Sequence, residues 1–150
     1  SMNSASKARK LNRCSPVTAP NAEGWIEEIE RDGVRSWAKR TQRDRMGSAM
    51  PEAGIEWWSD MMGRTPVPTF HAYMRWVAAT DIREDIRKIR CPTLVIGTDT
   101  ARRGRSVFES WQKTIPNSEL KILPMDGYHA GGTDPDATAR VTLEFISRHL

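Results

Sequence analysis

The chain has 150 residues, of which 38% are hydrophobic and 28% are charged, a balance typical of a soluble globular class. Its length corresponds to one ordinary domain or to part of a larger one. No apolar run approaches the roughly 18 residues that a membrane-spanning helix needs, and residues 1–13 lack the apolar stretch of a signal peptide. We therefore expect a cytoplasmic protein without a membrane partner.

The net charge of +4 is located in a basic tail, residues 1–14, which contains no acidic residue. The basic residues of this tail are Lys7, Arg9, Lys10 and Arg13. Because the rest of the chain is balanced, the charge predicts a solvated end and no nucleic-acid partner. Arg102, Arg103 and Arg105 form a second cluster, which keeps nucleic-acid binding open as an alternative but equally suits a substrate carboxylate.

The cysteines and histidines show no metal-binding pattern. Cys14 and Cys91 are far apart, as expected for reduced thiols in a cytosolic protein. No cluster of histidine, cysteine and aspartate residues has the spacing of zinc ligands. We expect no metal, and no cofactor either, because the chain has no dinucleotide-binding glycine pattern.

The first predicted region, residues 15–90, is a series of short helices. Asn21 is expected to cap the first helix, Gly33 to end it, and Gly63 to end the third. Pro66 suits the first turn of the fourth helix. The apolar residues that mark the helical faces are Trp25, Ile26 and Ile29; Val34, Trp37 and Ala38; Ile55, Trp57, Trp58, Met61 and Met62; Phe70, Tyr73, Met74 and Val77; and Ile82, Ile86 and Ile89.

The second predicted region, residues 91–150, has the pattern strand, helix, strand, helix. Residues 91–97 form an apolar, β-branched run, typical of a strand that is covered on both faces in a parallel sheet. A helix around Trp111 leads to a second strand at 120–123, and a closing helix spans 136–150. The strand–helix–strand unit is expected to cross over right-handed, which makes the two strands parallel.

Two convincing strands are too few for a parallel sheet, even with a third short strand near Leu11 to Cys14. Such a sheet would have exposed edges that invite pairing. We therefore expect one of three arrangements. A separate chain supplies the rest, copies of this chain complete each other's sheet as a homo-oligomer, or the chain is a fragment.

Two residues that follow the predicted strands are candidates for catalysis. His129 lies on a glycine-flanked loop directly after the last strand, where ligands of open α/β sheets bind. An imidazole at this place can act as a general base. Asp99 follows the other strand and can orient the histidine through a ring N–H bond. A histidine bonded to loop backbone and an aspartate that forms a turn or caps a helix remain open as alternatives.

Residues 81–97 lead from the last predicted short helix into the first strand, which contains Pro92, Thr93 and Leu94. This stretch is similar to the D-L-x-x-x-L-x-x-I-x-x-P-T-L-V-I run that leads from cap to sheet in the C-terminal half of the α/β-hydrolase family. Residues 115–120 look like its I-P-x-A-x-L approach to the last strand. Residues 124–129 resemble its P-x-x-G-H histidine loop, with Tyr128 as an extra residue. The helices from residue 22 look most like the cap of 3-oxoadipate enol-lactonase-type members.

This resemblance implies an α/β fold, with a helical cap followed by strand–helix–strand–helix and parallel strands. It also implies ester or lactone hydrolysis by a triad of nucleophile, histidine and acid, in which His129 is the histidine. The family's acid stands three residues after the strand-end glycine. With Gly97 as that glycine the position is Thr100, so Asp99 lies one residue early. Either Asp99 serves through a shifted loop or the triad is degenerate.

The nucleophile is missing, because the chain contains no G-x-S-x-G elbow. Ser48 and Ser106 do not follow a strand into a tight glycine turn. Residues 12–16 resemble the strand and exit just after the elbow's helix, so the chain is expected to begin after the catalytic first half. We expect a hydrolase fragment that is inactive alone and whose partner is the missing N-terminal half or a second copy. The alternative is a non-catalytic oligomerisation or interaction module derived from the half-fold.

Overall fold

The computed structural model describes residues 22–100 and 104–149. The elements in chain order are α1 (Ala22–Met46), α2 (Glu52–Gly63), α3 (Val67–Ala79), α4 (Arg83–Ile86), β1 (Thr93–Thr98), α5 (Arg105–Gln112), β2 (Ser118–Leu123), α6 (Ala130–Thr133) and α7 (Pro135–Ser147). The predicted order of helices followed by strand, helix, strand and helix is confirmed. The basic tail, the Asn21 cap and two of the clustered arginines, Arg102 and Arg103, lie outside the described residues.

The helix α1 consists of two helical segments that meet at Gly33. This residue has φ 80° and ψ 161°, a conformation that residues with a Cβ rarely adopt. The glycine predicted to end the first helix therefore interrupts it, and the chain continues as a second helical segment to Met46. No helix among the described residues is long and apolar enough to cross a membrane.

The core of the helical region lies where α2 and α3 pack on α1. Its buried side chains are Ile26, Ile29, Val34, Trp37 and Ala38 of α1 and Phe70 and Met74 of α3. Periodicity predicted these positions. It also marked Trp57 and Tyr73, which the structure leaves 57% and 54% exposed. The apolar face of each of these two helices is therefore wider than the surface that the described part of the chain covers.

The strands β1 and β2 are parallel neighbours, in the register from Thr93–Ser118 to Thr98–Leu123. The connecting helix α5 packs on both strands, and Phe108 lies directly on Gly97. A Cβ at Gly97 would come within 2.6 Å of the Phe108 ring, so only glycine allows this close approach. The first strand begins two residues later than expected, after Pro92, which has no N–H to give to a strand ladder.

Candidate active site

The carboxyl ends of β1 and β2 lie side by side, because Thr98 and Leu123 are paired in the register. Asp99 follows the first strand at once, and the loop 124–129 follows the second. The two strand ends share an open cleft of about 530 Å³. The cleft is lined by Ser48, Ala49, Asp99, Pro124, Met125, Asp126, Thr133 and Asp134. The sequence prediction that Asp99 and the histidine loop lie at one edge of the sheet is thus met by the geometry.

Both predicted site residues are exposed at this edge. His129 itself does not line the cleft; along the chain it lies between two stretches that do, 124–126 and 133–134, and it directly precedes α6. The Asp99 carboxylate faces the start of α5, since Asp99 Oδ1 lies 3.8 Å from where a Cβ would stand on Gly104. No side chain caps α5, so the helix-capping alternative for Asp99 is not realised. Thr100, at the position where the resemblance places the acid, is half-buried.

The histidine loop is held by the end of α1. The backbone N–H of His129 donates to the carbonyl oxygen of Arg45 at 3.1 Å. The Thr133 hydroxyl donates to the Met46 carbonyl at 2.9 Å. The backbone N–H of Ser48 donates to both Asp126 carboxylate oxygens, at 3.0 and 3.1 Å. We call this contact between residues 45–48 and 126–133 the junction.

Asp126 is the acidic residue of the junction. The Ser48 side chain, and then its backbone N–H, hydrogen-bond the carboxylate and lower the pKa of Asp126 below its ordinary value. The Ser48 backbone N–H is thus held by Asp126, and the residue follows the end of a helix and not a strand. Ser106 lies in the first turn of α5, separated from β1 by residues 99–104. Both serines thus fit the expectation that neither is the nucleophile of an elbow.

Two glycines allow the backbones of the junction to touch. Gly47 ends α1 with φ 80°, and its N–H donates to the Arg43 carbonyl at 2.8 Å. A Cβ on Gly47 would overlap the Asp126 carboxylate and lie 2.6 Å from the Gly127 nitrogen. A Cβ on Gly127 would lie 2.5 Å from the Met46 carbonyl carbon. Glycine is therefore required on both sides.

Replacing Gly47 by alanine is expected to lower the free energy of unfolding by roughly 2–4 kcal/mol, from left-handed strain and overpacking together. The matched control is Gly131→Ala, because a Cβ there meets nothing within 4 Å and the residue lies inside α6. That change should be neutral or stabilising by up to about 1 kcal/mol. Urea unfolding followed by circular dichroism measures both. Equal midpoints for the two variants would contradict the tight packing at Gly47.

The helical region makes one more contact with the histidine loop. A Cβ on Gly132 would lie 2.8 Å from Met46 Cε and 3.2 Å from Trp58 Cζ2, so side chains of α1 and α2 both pack against this segment. Asp126 lies inside the histidine motif, which implies no role for it, and Thr133 lies outside every motif of the sequence. Neither residue gives a local signal, because their partners are 78 and 87 residues away in the chain. Among the described residues, no cluster of three or more His, Cys, Asp and Glu suits a metal ion.

No family model and no curated protein matches the chain. Solved structures do match. A thermophilic esterase from Thermogutta terrifontis superposes with a TM-score of 0.73 and 20% identity, over 91% of this chain and 52% of the esterase. The enol-lactonase from Burkholderia xenovorans LB400 superposes with a TM-score of 0.75 and 14% identity, over 85% of this chain and 50% of the lactonase. An α/β-hydrolase enzyme from a Medee basin deep-sea metagenome library superposes with a TM-score of 0.67 and 17% identity, over 84% of this chain and 49% of that enzyme.

The chain has the fold of half an α/β-hydrolase. It spans about half the length of the solved structures that it matches, with 52%, 50% and 49% of their chains covered. At these identities the likeness concerns the fold, and it is consistent with the C-terminal half that the sequence motifs resemble. The predicted fold class is thereby confirmed.

Proposed function

We propose that this chain is the cap and histidine-bearing half of an esterase or lactonase with the α/β-hydrolase fold. His129 acts as the general base and then as the general acid, and Asp99 orients its imidazole. The nucleophile elbow and the oxyanion donors come from the other half of the fold. Alone, the chain does not turn over esters, because a triad histidine needs the nucleophile and the oxyanion hole to catalyse acyl transfer.

One observation carries this proposal. Two parallel strands end in register, and their ends bring the Asp99 loop and the His129 loop to one edge of the sheet. Beyond the carboxyl ends of such strands an α/β sheet binds its ligands. An imidazole and a carboxylate on neighbouring strand ends are the groups that acyl transfer by a triad requires from this side.

The partner proposed for this half is the missing N-terminal half, in the same polypeptide or as a separate one. Parallel sheets are normally covered on both faces and continue beyond two strands. Here Thr93–Ile96 of β1 are only half-buried, and Leu143 and Ile146 of α7 are 64% and 40% exposed. A second copy of the chain is the other occupant to test. The likeness to hydrolases does not favour a non-catalytic interaction module.

The purified chain is expected to release no product from an activated aryl ester, and a fluorophosphonate probe should label no serine. Light scattering on the same sample gives the mass, which distinguishes a single chain from a homo-oligomer. A labelled serine at a defined position, with turnover that the probe removes, would contradict the proposal that the nucleophile lies outside this chain.

The positive test supplies the other half. The chain is fused behind the N-terminal half of the Thermogutta terrifontis esterase, and the fusion is checked for cooperative thermal unfolding. A folded fusion is expected to hydrolyse the aryl ester, whereas each half alone does not. A folded fusion without turnover would favour the alternative, a module that has lost catalysis.

A further inference from the structure

We propose that Asp126 is a positioning residue that, together with Thr133, fixes the His129 loop to the end of α1. That this positioning serves catalysis rests on the proposed function. That the junction holds the His129 loop does not, because it follows from contacts within this chain. The role differs from that of a catalytic residue, since Asp126 acts on His129 through the backbone of the loop.

The hydrogen bonds of the junction bracket His129 on both sides. Asp126 lies three residues before the histidine and Thr133 four residues after it, and His129 contributes its own backbone N–H between them. The partners of these three groups all belong to the short stretch 45–48, in which the Ser48 N–H donates and the Met46 and Arg45 carbonyl oxygens accept. A loop that is anchored at its start, its middle and its end has little freedom to displace the Cα–Cβ bond of His129, from which the imidazole projects.

Packing at the junction removes the remaining freedom. Gly47 and Gly127 approach so closely that neither tolerates a Cβ, and Met46, fully buried, fills the space beneath Gly132. The Asp126 carboxylate is exposed, yet both its oxygens accept from Ser48. The single N–H of Ser48 is shared between the two oxygens, and the negative charge of the acceptor strengthens this contact. The junction therefore sets the position of the histidine loop relative to the helical region.

This arrangement has a consequence for the helical region. Because residues 45–48 continue from α1, on which α2 and α3 pack, any displacement of these helices is passed to the His129 loop. In the proposed enzyme, the helices that cover the substrate then move as one unit with His129, the base that takes the proton of the nucleophile. Changes at the end of α1 are expected to alter the geometry of His129 without touching its side chain.

The test uses the imidazole signals of the three histidines in carbon–proton NMR spectra, together with amide hydrogen exchange. His71 contacts Glu30 and His149 contacts Glu119, both away from the junction, so they serve as internal references. In Asp126→Ala the His129 imidazole signal should shift and broaden while both references stay in place. Exchange of the His129 amide should accelerate at least about tenfold, as expected when a charge-assisted hydrogen bond no longer holds the loop.

Further variants make the test decisive. Thr133→Val removes a hydrogen bond at nearly constant shape and should change the His129 signal in the same sense, by less. Asp126→Asn keeps an oxygen that accepts the Ser48 N–H, so it should restore much of the wild-type signal. The matched control Asp136→Ala removes an exposed aspartate in the first turn of α7 and should leave His129 unchanged.

Two results would overturn the proposal. One is an unchanged His129 signal and amide exchange rate in Asp126→Ala. The other is an equal change in all three histidines, in Asp126→Ala and Thr133→Val alike, which would show a general loss of structure. Since neither readout depends on turnover, absence of ester hydrolysis in a completed enzyme bears on the proposed function and leaves the positioning role intact.

Discussion

Replacing Trp37 by alanine is expected to lower the free energy of unfolding by roughly 3–5 kcal/mol, a large part of the 5–15 kcal/mol that stabilises an ordinary domain. Trp37 is 1% exposed and lies at the centre of the helical core. Its ring meets Phe70 edge-on at 4.8 Å and Trp25 at 5.6 Å, and the Arg45 guanidinium lies 4.2 Å from its centroid. Alanine would leave a cavity between α1 and α3 and would remove all three contacts.

The matched control for Trp37 is Trp76→Ala, which truncates a tryptophan that is 62% exposed. That change should stay within about 0.5 kcal/mol, because surface substitutions rarely do more. The loss of unfolding free energy in Trp37→Phe should fall between the losses in Trp37→Ala and Trp76→Ala. It keeps most of the ring and removes an indole N–H for which the described residues provide no acceptor. Urea unfolding followed at 222 nm measures all three, and equal losses at Trp37 and Trp76 would show that the core is not centred on Trp37.

The elements whose cause is local could be predicted from the sequence. Gly33 interrupts a helix, because without a Cβ its own backbone adopts φ 80°. Gly63 ends α2 as predicted, but its missing Cβ acts on another segment, since a Cβ there would lie 2.6 Å from Arg35 Cβ of α1. The apolar run before Gly97 predicted a covered parallel strand, and its pairing with the strand that ends at Leu123 is observed. The convergence of Asp99 and the histidine loop followed from a general rule about strand ends, so it needed no contact map.

What the sequence could not predict depends on partners that are distant or outside the chain. The junction joins Ser48 to Asp126 across 78 residues, and no pattern of period or composition records such a pair. Periodicity marks an apolar face but not how much of it is covered. Trp57 and Tyr73 therefore look like core residues in the sequence and lie exposed in this half of the fold.

In the completed enzyme, His129→Ala is expected to lower kcat for the aryl ester by roughly 10³-fold or more, since a positioned general base contributes about 10²–10⁴-fold. The control is His149→Ala, which removes an exposed histidine that contacts Glu119 and should leave kcat within about twofold. Steady-state rates on folded fusions of matched stability make the comparison. Activity that survives His129→Ala would remove this residue from the triad.

The same enzyme decides the role of Asp99. An amide at this position keeps the shape but no longer stabilises the imidazolium that forms as the nucleophile loses its proton, and it favours the wrong tautomer. If Asp99 is the acid, Asp99→Asn should lower kcat by roughly 10³–10⁴-fold, close to the loss in His129→Ala. A loss below about tenfold would mean that the imidazole is oriented by other groups, and the triad would be degenerate at the position of Thr100. Because residues acting as one unit are not additive, the double variant should be no slower than His129→Ala alone if the two residues share one catalytic role.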